Sequence, residues 1–285
     1  MKIVRSIPEM KNLSLTFQKA GRKVALVPTM GALHDGHISL VKLARKHCES
    51  VVMSLFVNPS QFGPHEDFSQ YPRPFEEDCA KAEAAGCDAV FAPEKSSMYP
   101  AGYSTFVTVD HLSERLCGAS RPGHFRGVAT VVLKFISIVS PQVAVFGQKD
   151  ALQCIIIKRM AEDLNCPVDL VFAPTVRQPD GLAMSSRNTY LTSTERSEAP
   201  LLYKGLVSAA AMYGKGERGA ARIGSAIADL YGKSSAFVTE YIEIVDAATV
   251  EPLVKIDRPA LVAVAVRTAE TKTRLIDNII LGGTL

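Results

Sequence analysis

The six cysteines (Cys48, Cys79, Cys87, Cys117, Cys154, Cys166) contain no CxxC pair, and the nearest two, Cys79 and Cys87, stand eight positions apart. A zinc cluster needs closer spacing, so none is expected on these residues. Scattered in this way, they read as thiols of a reducing compartment. No segment approaches the roughly 20 apolar residues that a membrane span requires. The opening stretch MKIVRSIPEMKNLSLTFQKAG breaks into charge and proline before a signal-peptide core can form. A soluble, cytoplasmic protein without a membrane partner is therefore expected. Dense basic runs are also absent and the net charge is only +3, so electrostatics do not point to nucleic acid. There is no internal repeat and no low-complexity tract.

What is present is the composition of a globular protein with a substantial core: 285 residues, 47% hydrophobic and 21% charged. That length holds one large domain or two ordinary ones. Strand-like runs are predicted at 24–27, 51–57, 89–92, 143–146 and 168–172. Helical spacing is predicted over 36–47, 75–85, 127–139 and 151–164. Such alternation argues for an α/β, Rossmann-like doubly wound parallel sheet. After Pro174 the pattern changes to helices over 194–213 and 220–230, then strands at 241–245, 261–266 and 275–280. The expected organisation is a first domain, 1–174, and a smaller C-terminal α+β domain, 175–285, with a proline-marked hinge at 174–179. The long polar stretch from Asn58 to Pro74 has the character of a lid or substrate wall.

Four motifs carry polar chemistry. In KVALVPTMGALHDGH a buried strand gives way to a helix, and His34 and His37 stand three apart on one helical face. A helix N-terminus with two imidazoles suits a phosphate. Metal ligation with Asp35 nearby, or simple helix capping, are the alternatives; the former lacks the further ligands zinc demands. GLAMSSRNTYL offers two hydroxyls, Ser185 and Ser186, and the planar fork of Arg187 for phosphate oxygens, or a solvated turn. VAVFGQKDALQ ends a strand at Phe146. Gly147 there permits close backbone approach, Lys149 supplies a point charge, and Asp150 suits ribose hydroxyls or an N-cap. RPGHFRGVATVV groups Arg121 with His124 ahead of a glycine-opened helix, either for an anionic group or as a solvated basic turn.

Together and in this order, PTMGALHDGH, FVNPSQF, YPRP, RPGHFRGVATVV, FGQKD and DGLAMSSRN resemble the pantothenate synthetase (pantoate–β-alanine ligase) family of the nucleotidyltransferase superfamily, over essentially the whole chain. Asp35 and Gln148 stand where that family more often has glutamate, and Cys117 where it often has an acid. The resemblance implies ATP-dependent condensation of (R)-pantoate with β-alanine through a pantoyl adenylate, releasing pyrophosphate and AMP. It implies that His34 and His37 contact the ATP phosphates, with His37 the principal catalytic residue, aided by Lys149 and Arg187. Met30, Gly31, Gly147, Gln148, Asp150, Val176, Met184, Ser185 and Ser186 complete the implied ATP contacts. Gln61 and Gln153 are implied to hold pantoate, with Met30 contacting it as well as ATP and Asn58, Tyr71 and Arg121 as substrate-side support. Mg²⁺ is implied to accompany ATP through phosphate oxygens and water rather than a protein cage. A homodimer is implied, as is closure of the small domain over ATP. The rivals are another nucleotidyltransferase, a tRNA ligase (disfavoured by the missing basic surface) and a non-catalytic nucleotide-binding module.

Overall fold

The computed structural model describes residues 1–64, 66 and 68–285. The chain runs β1 (Lys2–Val4), α1 (Ile7–Lys19), β2 (Val24–Thr29), α2 (Asp35–His47), β3 (Ser50–Leu55), a 3₁₀ turn (Pro59–Gln61), α3 (Phe75–Ala84), β4 (Ala89–Phe91) and α4 (Lys95–Met98). Then come α5 (Cys117–Ser120), α6 (His124–Val139), β5 (Val143–Gly147), α7 (Ala151–Asp163) and β6 (Asp169–Ala173). The remainder is α8 (Ser193–Glu198), α9 (Leu201–Gly214), α10 (Ala220–Tyr231), β7 (Phe237–Asp246), β8 (Ala260–Thr268) and β9 (Arg274–Leu281). Two compact units result. One comprises Met1–Glu114, Gly118–Gly147 and Ile156–Ala173; the other comprises Arg115–Cys117, Gln148–Ile155 and Pro174–Leu285.

In the first unit six strands pair in the order β1-β4-β3-β2-β5-β6, every pair parallel. Parallel strands covered on both faces read as unbroken apolar runs, and Val24 to Val27 are wholly buried. Ala25, Val27, Val51 and Met53 pack with Leu40, Val41 and Ala44 of α2 and with Cys79 and Ala82 of α3. Alternate residues of the same strands point to the opposite face, and both α1 and α6 lie against β2.

Strand order reverses between β2 and β5, because β2 leads to β3 on one side and β5 to β6 on the other. The β2–β3 ladder runs from Val24↔Ser50 to Thr29↔Leu55, whereas β2–β5 pairing covers only Ala25↔Val143 and Leu26↔Ala144. The two strands therefore part before their carboxyl ends. Pro28, which has no N–H for a ladder, falls within the parted stretch. This is why β2 continues to Thr29, beyond the expected end at Val27.

Neither β1 nor α1 is among the expected elements, although α1 carries its signals: Ser6 accepts the Glu9 N–H at 3.3 Å, and proline stands in the first turn. α6 starts at His124 rather than 127, because Gly123, at φ 80°, supplies the left-handed entry. Along the stretch from Asn58 to Pro74, Phe62 stacks edge-on with Phe68 and Tyr71, and Arg73 donates to the Phe68 and Tyr71 carbonyls. His65 and Asp67 of that expected wall lie outside the described residues.

The second unit holds an antiparallel sheet in the order β7-β8-β9. Leu202, Leu206, Ile223, Ile227 and Tyr231 pack on Val262, Val264 and Val266. The single helix expected over 194–213 is two, α8 and α9, because Pro200 lacks the N–H that a continuous helix needs. β7 is longer than expected. A register shift between Thr239 and Tyr241 breaks its period-two pattern. Among the described residues no helix is long and apolar enough to cross a membrane, and no disulfide is formed.

Candidate active site

The loop from β2 into α2 is held by α3. Gly31 sits at φ +87°, and a Cβ there would lie 2.8 Å from Asp78 Oδ2, so both conformation and space require glycine. The Asp78 carboxylate accepts the N–H groups of Ala32 at 2.8 Å and Leu33 at 2.7 Å. One turn further along α3, Lys81 Nζ donates to the Leu33 carbonyl at 2.9 Å. Ala32 itself is left-handed, at φ 51°, a strain of about 1–2 kcal/mol that the clamp holds in place. Burial pushes the Asp78 carboxyl above its ordinary value, against the two backbone hydrogen bonds. Asp78 and Lys81 had no sequence signal, because their partners lie more than forty positions away.

At the end of this loop the capping reading of the histidines is realised. His34 is the N-cap of α2, and its Nδ1 accepts the Gly36 N–H at 3.1 Å. His37 Nδ1 accepts the His34 N–H at 3.3 Å. The ring centroids are 4.1 Å apart and tilted by 37°. An imidazole that accepts at Nδ1 carries its proton on Nε2. Both rings are therefore Nε2–H donors stacked at the positive end of the α2 dipole. The His37 N–H already donates to the His34 carbonyl at 2.8 Å and the Gly31 N–H to Thr29 Oγ1 at 3.2 Å. What this turn offers an anion is thus imidazole N–H and dipole, rather than those backbone groups.

Also in the first unit, Gln61 ends the 3₁₀ turn and is 8% exposed. Its Nε2 donates to Met30 Sδ at 3.1 Å, which brings two expected site residues together. Asn58 Nδ2 donates to Gln61 Oε1 at 3.0 Å. Arg121 grips Glu66 with both ends of its fork, at 2.7 and 2.6 Å, and meets His124 Nε2 at 3.0 Å. Arginine can only donate, so His124 accepts at Nε2 and its Nδ1–H donates to the Gln61 carbonyl at 2.7 Å. Burial opposes ionisation of Glu66, but the Arg121 guanidinium outweighs it and holds the carboxyl below its usual range. Tyr71 is buried against Phe62. Gly147 ends β5, and a Cβ there would meet nothing nearer than Leu40 Cδ2 at 3.9 Å; protein packing alone does not demand glycine.

The remaining expected residues belong to the second unit. Lys149 Nζ lies 3.6 Å from Asp150 Oδ1, and Gln153 is half-exposed in the first turn of α7. Met184 N–H donates to the Val176 carbonyl at 3.0 Å, so this pair is brought together across a short antiparallel bridge, Arg177↔Ala183. Ser185 caps a 3₁₀ turn (Ser186–Tyr190), its Oγ accepting the Arg187 N–H at 3.3 Å. Two neighbouring residues of β9, both unread from the sequence, anchor these loops. Asn278 Nδ2 donates to the carbonyls of Gln148 and Lys149, each at 2.9 Å. Asp277 takes Arg177 in a two-point pair at 2.6 and 3.0 Å, and Arg177 in turn donates to the Gly181 carbonyl at 3.1 Å. No cluster of three or more His, Cys, Asp or Glu able to hold a metal occurs among the described residues.

Comparison with known proteins is consistent over the full length. A family model described as pantoate-beta-alanine ligase matches residues 2–280. A pantothenate synthetase of Acetivibrio thermocellus is 50% identical over 280 residues, 98% of this chain and 99% of the relative. The crystal structure of pantothenate synthetase from Thermus thermophilus superposes with a TM-score of 0.91 at 42% identity, covering 98% of this chain and 99% of that one. A pantoate-beta-alanine ligase from Francisella tularensis, complexed with beta-gamma ATP and beta-alanine, aligns with a TM-score of 0.78 at 31% identity, covering 98% and 97%. With a parted strand pair at the switch point, a capped histidine pair beyond it and a family match spanning both units, the chain belongs to the pantoate–β-alanine ligase family.

Proposed function

We infer that this chain joins (R)-pantoate to β-alanine, using ATP and releasing AMP and pyrophosphate. A carboxylate is a poor acyl donor, because oxide is a poor leaving group. Attack of the pantoate carboxylate on the α-phosphorus, with pyrophosphate departing, converts it to a mixed anhydride. The β-alanine amine then attacks that carbonyl carbon, and AMP leaves. The protein's share is positioning and charge stabilisation. The observation that carries this reading is the pair of Nε2–H imidazoles, His34 and His37, in a chain matched along residues 2–280 by the ligase family.

In this reading both imidazoles donate to phosphate oxygens, and His37 acts on the α-phosphate as negative charge crowds there. Met30 and Gly31 line the turn beside them. Residues 1–174 carry the pantoate side, with Gln61 as its principal contact and Asn58, Tyr71 and Arg121 in support. Gln153 contributes a second amide. Residues 175–285 supply Val176 and Met184 for adenine and Ser185, Ser186 and Arg187 for the phosphates. Gly147, Gln148 and Asp150 serve the ribose, and Lys149 the phosphates. Mg²⁺ would accompany ATP and supply charge neutralisation at the phosphates, held mainly by phosphate oxygens and water. A homodimer in the cytoplasm completes the proposal. Sedimentation velocity reads the dimer.

The test is incubation with ATP, pantoate and β-alanine, reading AMP and pyrophosphate. Pyrophosphate should appear only when pantoate is present, and AMP should accumulate with pantothenate. Release that ignores pantoate would indicate a different nucleotidyltransferase. No turnover at all would leave a nucleotide-binding module.

A further inference from the structure

We propose that Gln61 meets its substrate with a fixed amide polarity, N–H₂ toward the ligand, and that Tyr99 is a positioning residue that holds Asn58, the residue that passes this polarity on. The inference rests on the assignment of Gln61 to pantoate made above.

The polarity follows from groups whose roles admit no choice. The Ser60 N–H can only donate, and it reaches one terminal atom of Asn58 at 3.3 Å, so that atom is Oδ1. The Gly127 carbonyl can only accept, and it lies 3.1 Å from the other terminal atom, which is therefore Nδ2. Nδ2 also donates to Gln61 at 3.0 Å, so the receiving atom is Oε1 and the remaining end of Gln61 is Nε2. Both outer partners are main-chain atoms, so neither amide can flip without stranding a buried group. Asn58 is only 1% exposed, which makes such a loss expensive.

Tyr99, at the C-terminal end of α4, completes the relay. Its hydroxyl donates to Asn58 Oδ1 at 2.8 Å and lies 3.0 Å from Ser60 Oγ, which also donates to Oδ1 at 2.9 Å. Three donors thus converge on one acceptor and hold the Asn58 plane. The turn reaches α6 only because residue 127 is glycine; a Cβ there would lie 2.2 Å from the Ser60 carbonyl oxygen. From the other side His124 ties down the Gln61 main chain. Of the two N–H bonds of Gln61 Nε2, one meets Met30 Sδ and the other is directed at an acceptor, a carboxylate or hydroxyl oxygen of pantoate. The amide's own carbonyl is already engaged.

The experiment is a double-mutant cycle of Tyr99→Phe with Gln61→Ala, reading KM for pantoate and for ATP. Tyr99→Phe should raise the pantoate KM about three- to tenfold, the worth of one net hydrogen bond, and leave the ATP KM unchanged. Added to Gln61→Ala it should have no further effect. Should turnover of the Gln61→Ala enzyme be too slow to measure, calorimetric titration of pantoate reads the same cycle. If Gln61→Ala leaves pantoate affinity intact, the pantoate role falls and the proposal with it. If Gln61→Ala weakens pantoate but Tyr99→Phe is silent, or weakens it equally in both backgrounds, the relay alone is overturned.

Discussion

At His34 and His37 the helix cap and the proposed chemistry depend on the same choice of tautomer. Each Nδ1 accepts a main-chain N–H, and each Nε2 therefore carries a proton that a phosphate oxygen can accept. His37→Ala should cut pantoate-dependent pyrophosphate release by about 10²–10³-fold, the loss usual for one preorganised donor. It should also lower stability by about 1 kcal/mol through the lost cap contact. Full activity in that variant would remove His37 from the reaction. The pair was legible in sequence because its members are three positions apart. Gln61 was legible as a site residue, but its polarity was not: that depends on the Gly127 carbonyl, 69 positions from Asn58.

The β2–α2 loop is an arrangement of elements rather than of neighbours. Periodicity showed that a strand becomes a helix there, and glycine marked the turn. That α3 would hold the loop through Asp78 and Lys81 could not be read locally, since both sit in an ordinary amphipathic helix. Asp78→Asn keeps one acceptor oxygen but replaces the other with a donor facing an N–H. We expect a loss of about 1–3 kcal/mol in denaturant unfolding, the cost of one unsatisfied buried group. An unchanged midpoint would mean that the loop keeps its left-handed turn unaided. The missed boundaries have equally local causes: the proline that divides α8 from α9, and the shift in β7 that scrambles its alternation.

Across the molecule, several carboxylates are held ionised by the fold, and their sum sets the acid limit. Burial opposes the Glu195 charge, but hydrogen bonds from Thr271, the Thr192 N–H and the Glu270 N–H outweigh it and bring the carboxyl down to about 2 from 4.5. Burial likewise opposes Asp180 and Asp246, yet Arg196 beside the first, and the Thr249 and Ala248 N–H groups and Arg258 beside the second, keep both below the usual range. A carboxyl with a lowered folded value stabilises fully above its unfolded value and loses that stability as pH falls through the folded one. For Glu195 the window is 4.5 down to about 2. Asp78, raised by burial, has the opposite sign. Unfolding midpoints should therefore fall as pH drops through this window, and Glu195→Gln should flatten the decline. Parallel acid limbs for the two proteins would remove Glu195 as a contributor.

The order of apolar runs along the chain was enough to determine a parallel sheet followed by a smaller α+β part, because strands covered on both faces read as short unbroken apolar runs and helices buried on one face carry a period of about 3.6 residues. The polar blocks likewise determined the family, since their residue types and order are one-dimensional facts. Which atoms of those residues can act was decided only by tertiary structure. The tautomers of His34 and His37, the direction of the Gln61 amide and the hold of Asp78 and Asn278 on their loops each depend on where the folded backbone places donors and acceptors, most of them far away in the chain. Hydrogen bonds are directional and short, so their partners are known only once the backbone has brought them within about 3 Å of one another.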